Sequence, residues 1–131
     1  MIVDTSALMA IILGEAGFED LDEVIVRSKH ARISAGSFLE CSVVLDRRLP
    51  PAQRQRLDAL RAAYTLEIVP VTATQVDLGR QAHERFGPGS GSAARLNFGD
   101  CFAYALAAET GEPLLFVGDD FTHTDITPAL S

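Results

Sequence analysis

Five acidic residues stand where a chain of alternating strands and helices could put them to chemical use. Asp4 closes the short apolar run Met1 to Val3, and Asp119 and Asp120 follow the apolar run Leu114 to Val117 and Gly118. Acids directly after apolar strand runs fall at the carboxyl edge of a parallel sheet, where open sheets bind their ligands. Glu40 lies among Phe38, Leu39, Cys41, Val43 and Val44, a background in which an acid is seldom buried without a partner. Asp100 falls in the first turn of a helix that opens near Phe98, just after Asn97 and Gly99. Each acid also has a plainer use. Asp4, Thr5 or Ser6 can cap the following helix, and Asp100 can complement a helix dipole. Glu40 can face solvent from a helix edge, and Asp119 and Asp120 can be turn residues.

The combination is more specific than any member. If these side chains meet, unit charges ~5 Å apart repel by roughly 3 kcal/mol per pair at an effective dielectric near 20. A cation is then required. An all-oxygen donor set without Cys or His selects a hard ion, and a few carboxylates plus waters suit Mg²⁺, with Mn²⁺ as a substitute. Such an ion polarises a phosphate, lowers the pKa of a bound water and offsets charge on a leaving oxygen, so phosphodiester hydrolysis is the natural chemistry.

The positioning elements read from periodicity and punctuation. Met1 to Asp4 reads as a strand, and Ala7 to Leu13 as helix formers closed by Gly14. Phe18 to Lys29 has helical spacing, Ala31 to Ser34 is a second strand, and Gly36 to Arg48 is a helix ended by Pro50 and Pro51. Pro51 opens another helix running to Tyr64, with Leu57, Leu60 and Tyr64 on one stripe. Leu66 to Val71 is a strand and Thr74 to Phe86 a helix. The segment 87–95, rich in Gly and Ser, reads as a flexible loop. Phe98 to Thr110 is a helix stopped by Gly111, and Leu114 to Val117 is a strand apolar on both faces. Strict alternation of strand and helix predicts an α/β fold, a three-layer α/β/α sandwich around a mainly parallel sheet of four or five strands.

At 131 residues the chain has room for one domain, residues 1–131, and 47% hydrophobic against 22% charged residues can build its core. No apolar run approaches the ~18 residues needed to span a bilayer, and no basic stretch precedes an apolar segment at the N-terminus. Neither membrane association nor a signal peptide is expected, and the expected location is cytoplasmic. Cys41 and Cys101 are too few for a disulfide framework and read as reduced fillers. His30, His83 and His123 share no ligand spacing, and the Arg-rich stretch from Gln53 to Arg61 reads as a solvated face. The net charge of −7 argues against holding nucleic acid by a basic surface alone. That charge is uneven, because every Lys and Arg lies at or before Arg95, and an acidic site occupied by a divalent ion removes the objection.

The motifs Met-Ile-Val-Asp4-Thr-Ser6-Ala-Leu, Ser37-Phe-Leu-Glu40, Leu96-Asn-Phe-Gly-Asp100-Cys-Phe-Ala-Tyr-Ala and Pro113-Leu-Leu-Phe-Val-Gly-Asp119-Asp120-Phe121 follow one another in order, and Thr124-Asp125-Ile126 closes the series. Together they resemble the PIN domains and, within them, the VapC-type toxins, over essentially the whole chain. The resemblance implies that Asp4, Glu40, Asp100 and one acid of the Asp119-Asp120 pair surround a metal. Asp4 and Asp100 would be its most direct ligands, and Thr5 or Ser6 would support the first. Asp119 is favoured as nearer the metal, although spacing alone does not separate it from Asp120. The same likeness implies an RNA substrate, a homodimer and silencing by a cognate VapB-type antitoxin. Arg95, behind the Gly and Ser loop, is a candidate guide for the RNA backbone.

Three rivals compete. A receiver-type phosphoacceptor domain needs a Lys after its last strand, whereas the single lysine is Lys29. A haloacid-dehalogenase-like phosphatase needs a second Asp two positions after the first, where Ser6 stands. A catalytically silent PIN-like domain that binds RNA or protein would be expected to lose one of its acids, and all four positions are filled.

Overall fold

The computed structural model describes residues 1–130; Ser131, the end of the expected domain, lies outside the described residues. Strand β1 (Ile2–Val3) runs into Asp4, which caps helix α1 (Thr5–Leu13), and Gly14 stops that helix at φ 65°. Helix α2 (Phe18–Arg27) buries Leu21 and Ile25 on one stripe and carries Glu19, Asp20, Asp22 and Glu23 outside it. Strand β2 (Arg32–Ser34) passes directly into α3 (Ala35–Arg48), where the Ser34 hydroxyl accepts from the Gly36 N–H. Helix α4 (Arg56–Tyr64), strand β3 (Glu67–Val69), helix α5 (Ala73–Phe86), helix α6 (Phe98–Thr110) and strand β4 (Leu114–Leu115) complete the order.

The four strands are parallel and stand in the order β3-β2-β1-β4. Ile2 pairs with Arg32 on one side and Leu114 on the other. The chain therefore starts in the middle of the sheet, builds outward through β2 and β3, and returns to the opposite flank of β1. That reversal of strand order opens a crevice at the carboxyl ends of β1 and β4, and both strands deliver an acidic segment there.

Alternate strand residues point to opposite faces, and both faces are covered. Val3, Ile33 and Leu115 pack with Leu8, Ile25, Leu45 and Leu57 of α1 to α4. Ile2 and Leu114 pack with Ala82 of α5, Leu106 of α6, and Leu96 and Phe121. The expected three-layer sandwich is what forms, with four strands. Pro128 adds an isolated bridge beside Leu114. No helix among the described residues is long and apolar enough to cross a membrane.

Three local readings change. The helix expected from Pro51 begins only at Arg56, because Pro51–Gln53 closes a separate 3₁₀ turn. The last strand ends at Leu115, since the Val117 N–H bonds to the Ser6 hydroxyl at 3.0 Å rather than to a strand. The segment 87–95 is irregular as expected, yet its end is pinned, for Ala94 and Leu96 are buried and the Leu96 N–H bonds to the Phe86 carbonyl at 2.8 Å.

Helices α3 and α6 meet at a glycine. A Cβ placed on Gly36 would lie 2.3 Å from the Phe102 ring, so only Gly allows this approach. Gly36→Ala gains up to ~1 kcal/mol of helix propensity, but the displaced ring costs more, as overpacking typically does at ~1–3 kcal/mol. The variant is expected to be less stable by about 1–2 kcal/mol in urea unfolding; unchanged stability would show that the helices can separate freely.

Candidate active site

The acids of the site are set by local structure. Asp4 is 4% exposed. Its Oδ2 accepts from the Ser6 N–H (3.1 Å) and from the Ser6 hydroxyl (2.6 Å), which cap the first turn of α1. The same hydroxyl accepts from the Val117 N–H, so Ser6 ties Asp4 to the exit of β4. Thr5 donates from Oγ1 to the Ser37 carbonyl at 2.9 Å, pinning the start of α1 against the first turn of α3. Glu40 follows one turn later on α3.

Asp100 is held by a reciprocal cap. Its N–H bonds to Asn97 Oδ1 (2.9 Å), and its Oδ2 accepts from the Asn97 N–H (3.0 Å). Glu40 reaches this turn because Gly99 is bare, a Cβ there lying 2.0 Å from Glu40 Oε2. Of the exposed pair after β4, Asp120 faces Asp100, whereas the Asp119 carbonyl accepts from the Thr122 N–H in a turn. Of the two acids, Asp120 is the one whose charge bears on Asp100. Gly118, at φ 96°, turns the chain just before the pair, and strand alternation no longer decides which acid points inward.

Electrostatics report the same proximity. Burial raises the Asp4 carboxyl above its usual range, the Ser6 bonds oppose this, and the Glu40 charge adds to it. Burial pushes Asp100 up to about 7; the Asn97 N–H opposes, and the charges of Asp4 and Asp120 add. The Cys41 thiol, buried beside Asp4 and Glu40, is pushed up to about 12. None of the ion pairs among the described residues involves Asp4, Glu40, Asp100, Asp119 or Asp120. Three helices, α1, α3 and α6, start at this edge, and their N-terminal dipoles are the compensation the fold supplies.

The neighbours form a chain, Glu40 to Asp4 to Asp100 to Asp120, and among the described residues no three His, Cys, Asp or Glu side chains close into a metal cage. An ion that keeps most of its waters and is bound through one or two carboxylates, as Mg²⁺ is, does not require such a cage. The donors are all oxygens, and like charges without a cationic side chain invite such an ion.

Other candidates fall elsewhere. Asp125 accepts from the Tyr104 hydroxyl at 2.6 Å and lies 3.7 Å from Arg85, so it anchors the C-terminal segment to α5 and α6. Arg95 is exposed and holds φ 55°, rare for a residue with a side chain, between buried Ala94 and Leu96. Cys41 is a buried free thiol as expected; Cys101 is free but half-exposed. His30 pairs with Glu67, and among the described residues no histidine pairs with the acids of the site. The sequence reading missed two residues. Asn97 was legible, standing three before Asp100 at capping-box spacing, while Gly99 carried no sequence signal because its role is a contact between helices.

The chain matches the PIN domain family over residues 1–126. It is 49% identical over 129 residues to Ribonuclease VapC42 of Mycobacterium tuberculosis, covering 98% of each chain. It is 45% identical to Ribonuclease VapC28 of the same species, covering 99% of this chain and 98% of the relative. Among solved structures, M. tuberculosis VapC20, described as a toxin that cleaves the sarcin–ricin loop, superposes with a TM-score of 0.74 at 21% identity, covering 96% of this chain and 95% of that one. A toxin–antitoxin complex from Klebsiella pneumoniae superposes with a TM-score of 0.71 at 18% identity, covering 99% of this chain and 94% of that one.

Two outcomes follow. Gly99→Ala is expected to leave unfolding within about 1 kcal/mol of the parent, since only the flexible end of Glu40 must move, yet to lower the rate of any reaction at this site about tenfold or more by displacing that carboxylate; an unaltered rate removes Glu40 from the site. For Asp100, the folded chain binds the extra proton between the ordinary carboxylate value of 3.8 and about 7, so metal-free stability must fall as pH rises through that window. Asp100→Asn keeps the cap acceptor and loses the charge, so it should flatten that slope and be more stable by about 1–2 kcal/mol at pH 8. A slope of the opposite sign in the parent would contradict the assignment.

Proposed function

Since the chain belongs to the PIN-domain family and groups with the VapC ribonucleases, we propose that it is a divalent-metal-dependent endoribonuclease, the toxin half of a toxin–antitoxin pair. The observation that carries this reading is the chain of carboxylates at the reversal point of the sheet, two of them buried, mutually repelling and, among the described residues, in no ion pair with a cationic side chain. In it Asp4 and Asp100 hold Mg²⁺, or Mn²⁺ in its place, while Glu40 and Asp120 line the approach, with Asp119 as the alternative to Asp120. When bound, the ion neutralises phosphate charge and activates water for attack on phosphorus.

The protein's own groups do the positioning. Ser6 holds the Asp4 carboxylate through Oδ2, which orients the remaining oxygen. Thr5 fixes the distance between the α1 and α3 starts. Asn97 does for Asp100 what Ser6 does for Asp4. The converging helix N-termini favour an incoming phosphodiester as they favour the acids, and Arg95 is the candidate contact to the RNA backbone. Residues 1–131 act as one PIN domain in the cytoplasm, as a homodimer, and a VapB-type antitoxin silences it; the relatives named VapC support the pairing. A silent RNA- or protein-binding PIN-like domain remains the second reading, disfavoured because each acid position is filled.

Purified protein should cleave RNA with Mg²⁺ and stop when EDTA removes the ion. Asp4→Asn and Asp100→Asn should each lower the cleavage rate roughly 100-fold or more with the fold retained by circular dichroism. Undiminished cleavage by both variants would sink the nuclease assignment; RNA binding without cleavage by the parent would favour the silent domain.

A further inference from the structure

Asp4 and Asp100 each lean on a donor from the start of their own helix. Asp120 is placed differently: it is exposed, lies outside every helix and strand, and among the described residues joins no ion pair. How closely its charge stands to Asp100 is therefore set by the backbone of the loop that carries it, from Val117 to Asp125.

That loop is tied at both ends, and each tie runs to a helix that carries another acid of the site. At its start the Val117 N–H bonds to the Ser6 hydroxyl on α1, the group that also holds Asp4. At its end Asp125 Oδ1 accepts from the Tyr104 hydroxyl at 2.6 Å, and Tyr104 follows Asp100 by one turn of α6. Between the ties Phe121 is buried, its ring 5.2 Å from that of Phe116, and the Thr122 and Thr124 N–H groups close turns onto the Asp119 and Phe121 carbonyls. The Ile126 N–H then bonds to the Thr124 hydroxyl at 3.3 Å.

The tie at Asp125 has a rigid end. The Tyr104 ring is buried, 5.9 Å from that of Phe86, and its hydroxyl is pushed up to about 12 by burial and by Asp125 beside it, so it stays a donor. A hydroxyl donating to a carboxylate is among the stronger hydrogen bonds. Arg85 comes no nearer than 3.7 Å to the other oxygen of Asp125, both side chains being exposed, and adds little. The chain also holds a bond of the same chemistry away from the site. The Tyr64 hydroxyl donates to Asp22 and joins α4 to α2, neither of which carries an acid of the site.

We infer that Tyr104 and Asp125 form a clamp that sets the loop after β4 against α6 and so keeps the Asp120 charge beside Asp100. Tyr104 is a positioning residue, acting on the site through the backbone of residues 118–124. The inference rests on the reading of these acids as a divalent-metal site, and adds two residues outside the carboxylate chain on which the ion depends. With the clamp open, the loop keeps its tie to Ser6 and its buried Phe121, but its far end is released and the Asp120 charge spreads over more positions. An ion attracted by that charge is then held more weakly, as happens when groups that orient metal ligands are removed.

Calorimetric titration of the purified chain with Mn²⁺ reads the ion without RNA or turnover, and amide hydrogen exchange of the metal-free chain reads the loop. Tyr104→Phe, which keeps the ring and removes the hydroxyl, and Asp125→Leu should each weaken Mn²⁺ binding about tenfold and speed exchange at Thr122, Thr124 and Ile126 about tenfold. Asp125→Asn keeps an acceptor for Tyr104 and should stay within about twofold of the parent in both readings. Tyr64→Phe, which deletes the like bond between α4 and α2, should bind Mn²⁺ as the parent does, with circular dichroism reporting the fold of every variant. Parent-like binding by Tyr104→Phe overturns the clamp. So does Asp125→Asn binding as weakly as Asp125→Leu, which would make Asp125 itself a ligand, and so does an equal loss in Tyr64→Phe, which would make the effect one of general stability. A parent that takes up no Mn²⁺ sinks the metal reading and the clamp with it, whereas a parent that binds beside an unaffected Tyr104→Phe sinks the clamp alone.

Discussion

Mutual repulsion of carboxylates is the constraint around which the molecule is arranged. Four acids from separate segments are brought into a sequence of close neighbours, two of them almost out of water, and burial and like charge both oppose their ionisation. Among the described residues no basic side chain pairs with them. The fold answers with backbone and hydroxyl donors: the Ser6 N–H and O–H on Asp4, the Asn97 N–H on Asp100, and three helix starts aimed at the same edge. These donors orient the carboxylates without neutralising them, so the negative potential that a hard cation needs survives folding.

The plain and the chemical readings of Asp4 and Asp100 turn out to be compatible. A carboxylate has two oxygens, and in each residue Oδ2 serves the helix cap. Capping is how the other oxygen acquires a fixed direction, since a cap fixes the side chain relative to a helix that is itself packed on the sheet. An acid in the first turn of a helix is thus weak grounds for function and equally weak grounds against it. What distinguishes these two is company. Asp20 also sits in a first turn, that of α2, where it is exposed with Glu19 and Glu23 and needs no partner.

Much of this was legible along the chain because it is local. Apolar runs closed by Asp4 and Ser34 marked strand ends, and the alternation of strand with helix implied a parallel sheet with both faces covered. Even the crevice followed, since acids after strands must lie at the carboxyl edge. What sequence did not carry was tertiary. Gly99 matters because Glu40 crosses its position, and Gly36 because Phe102 does; neither neighbour is near in the chain. The choice between Asp119 and Asp120 depends on a left-handed turn at Gly118, after which alternation gives no guidance. The last strand is shorter than its apolar run because Ser6, over a hundred residues away, takes the Val117 N–H.

The same repulsion links stability to ion binding. On the proposed reading, energy stored by crowding Asp4, Asp100 and Asp120 would be released by a divalent cation, so the acids that weaken the metal-free fold would be those that give the ion its affinity. The same reading would reconcile the acidic charge of the chain with the polyanionic substrate proposed for it. A cation held by one or two carboxylates keeps open coordination positions, and phosphate oxygens can take them. Attraction for the substrate would then reside in the ion and the helix N-termini rather than in a basic surface, leaving the rest of the exterior free to remain negative.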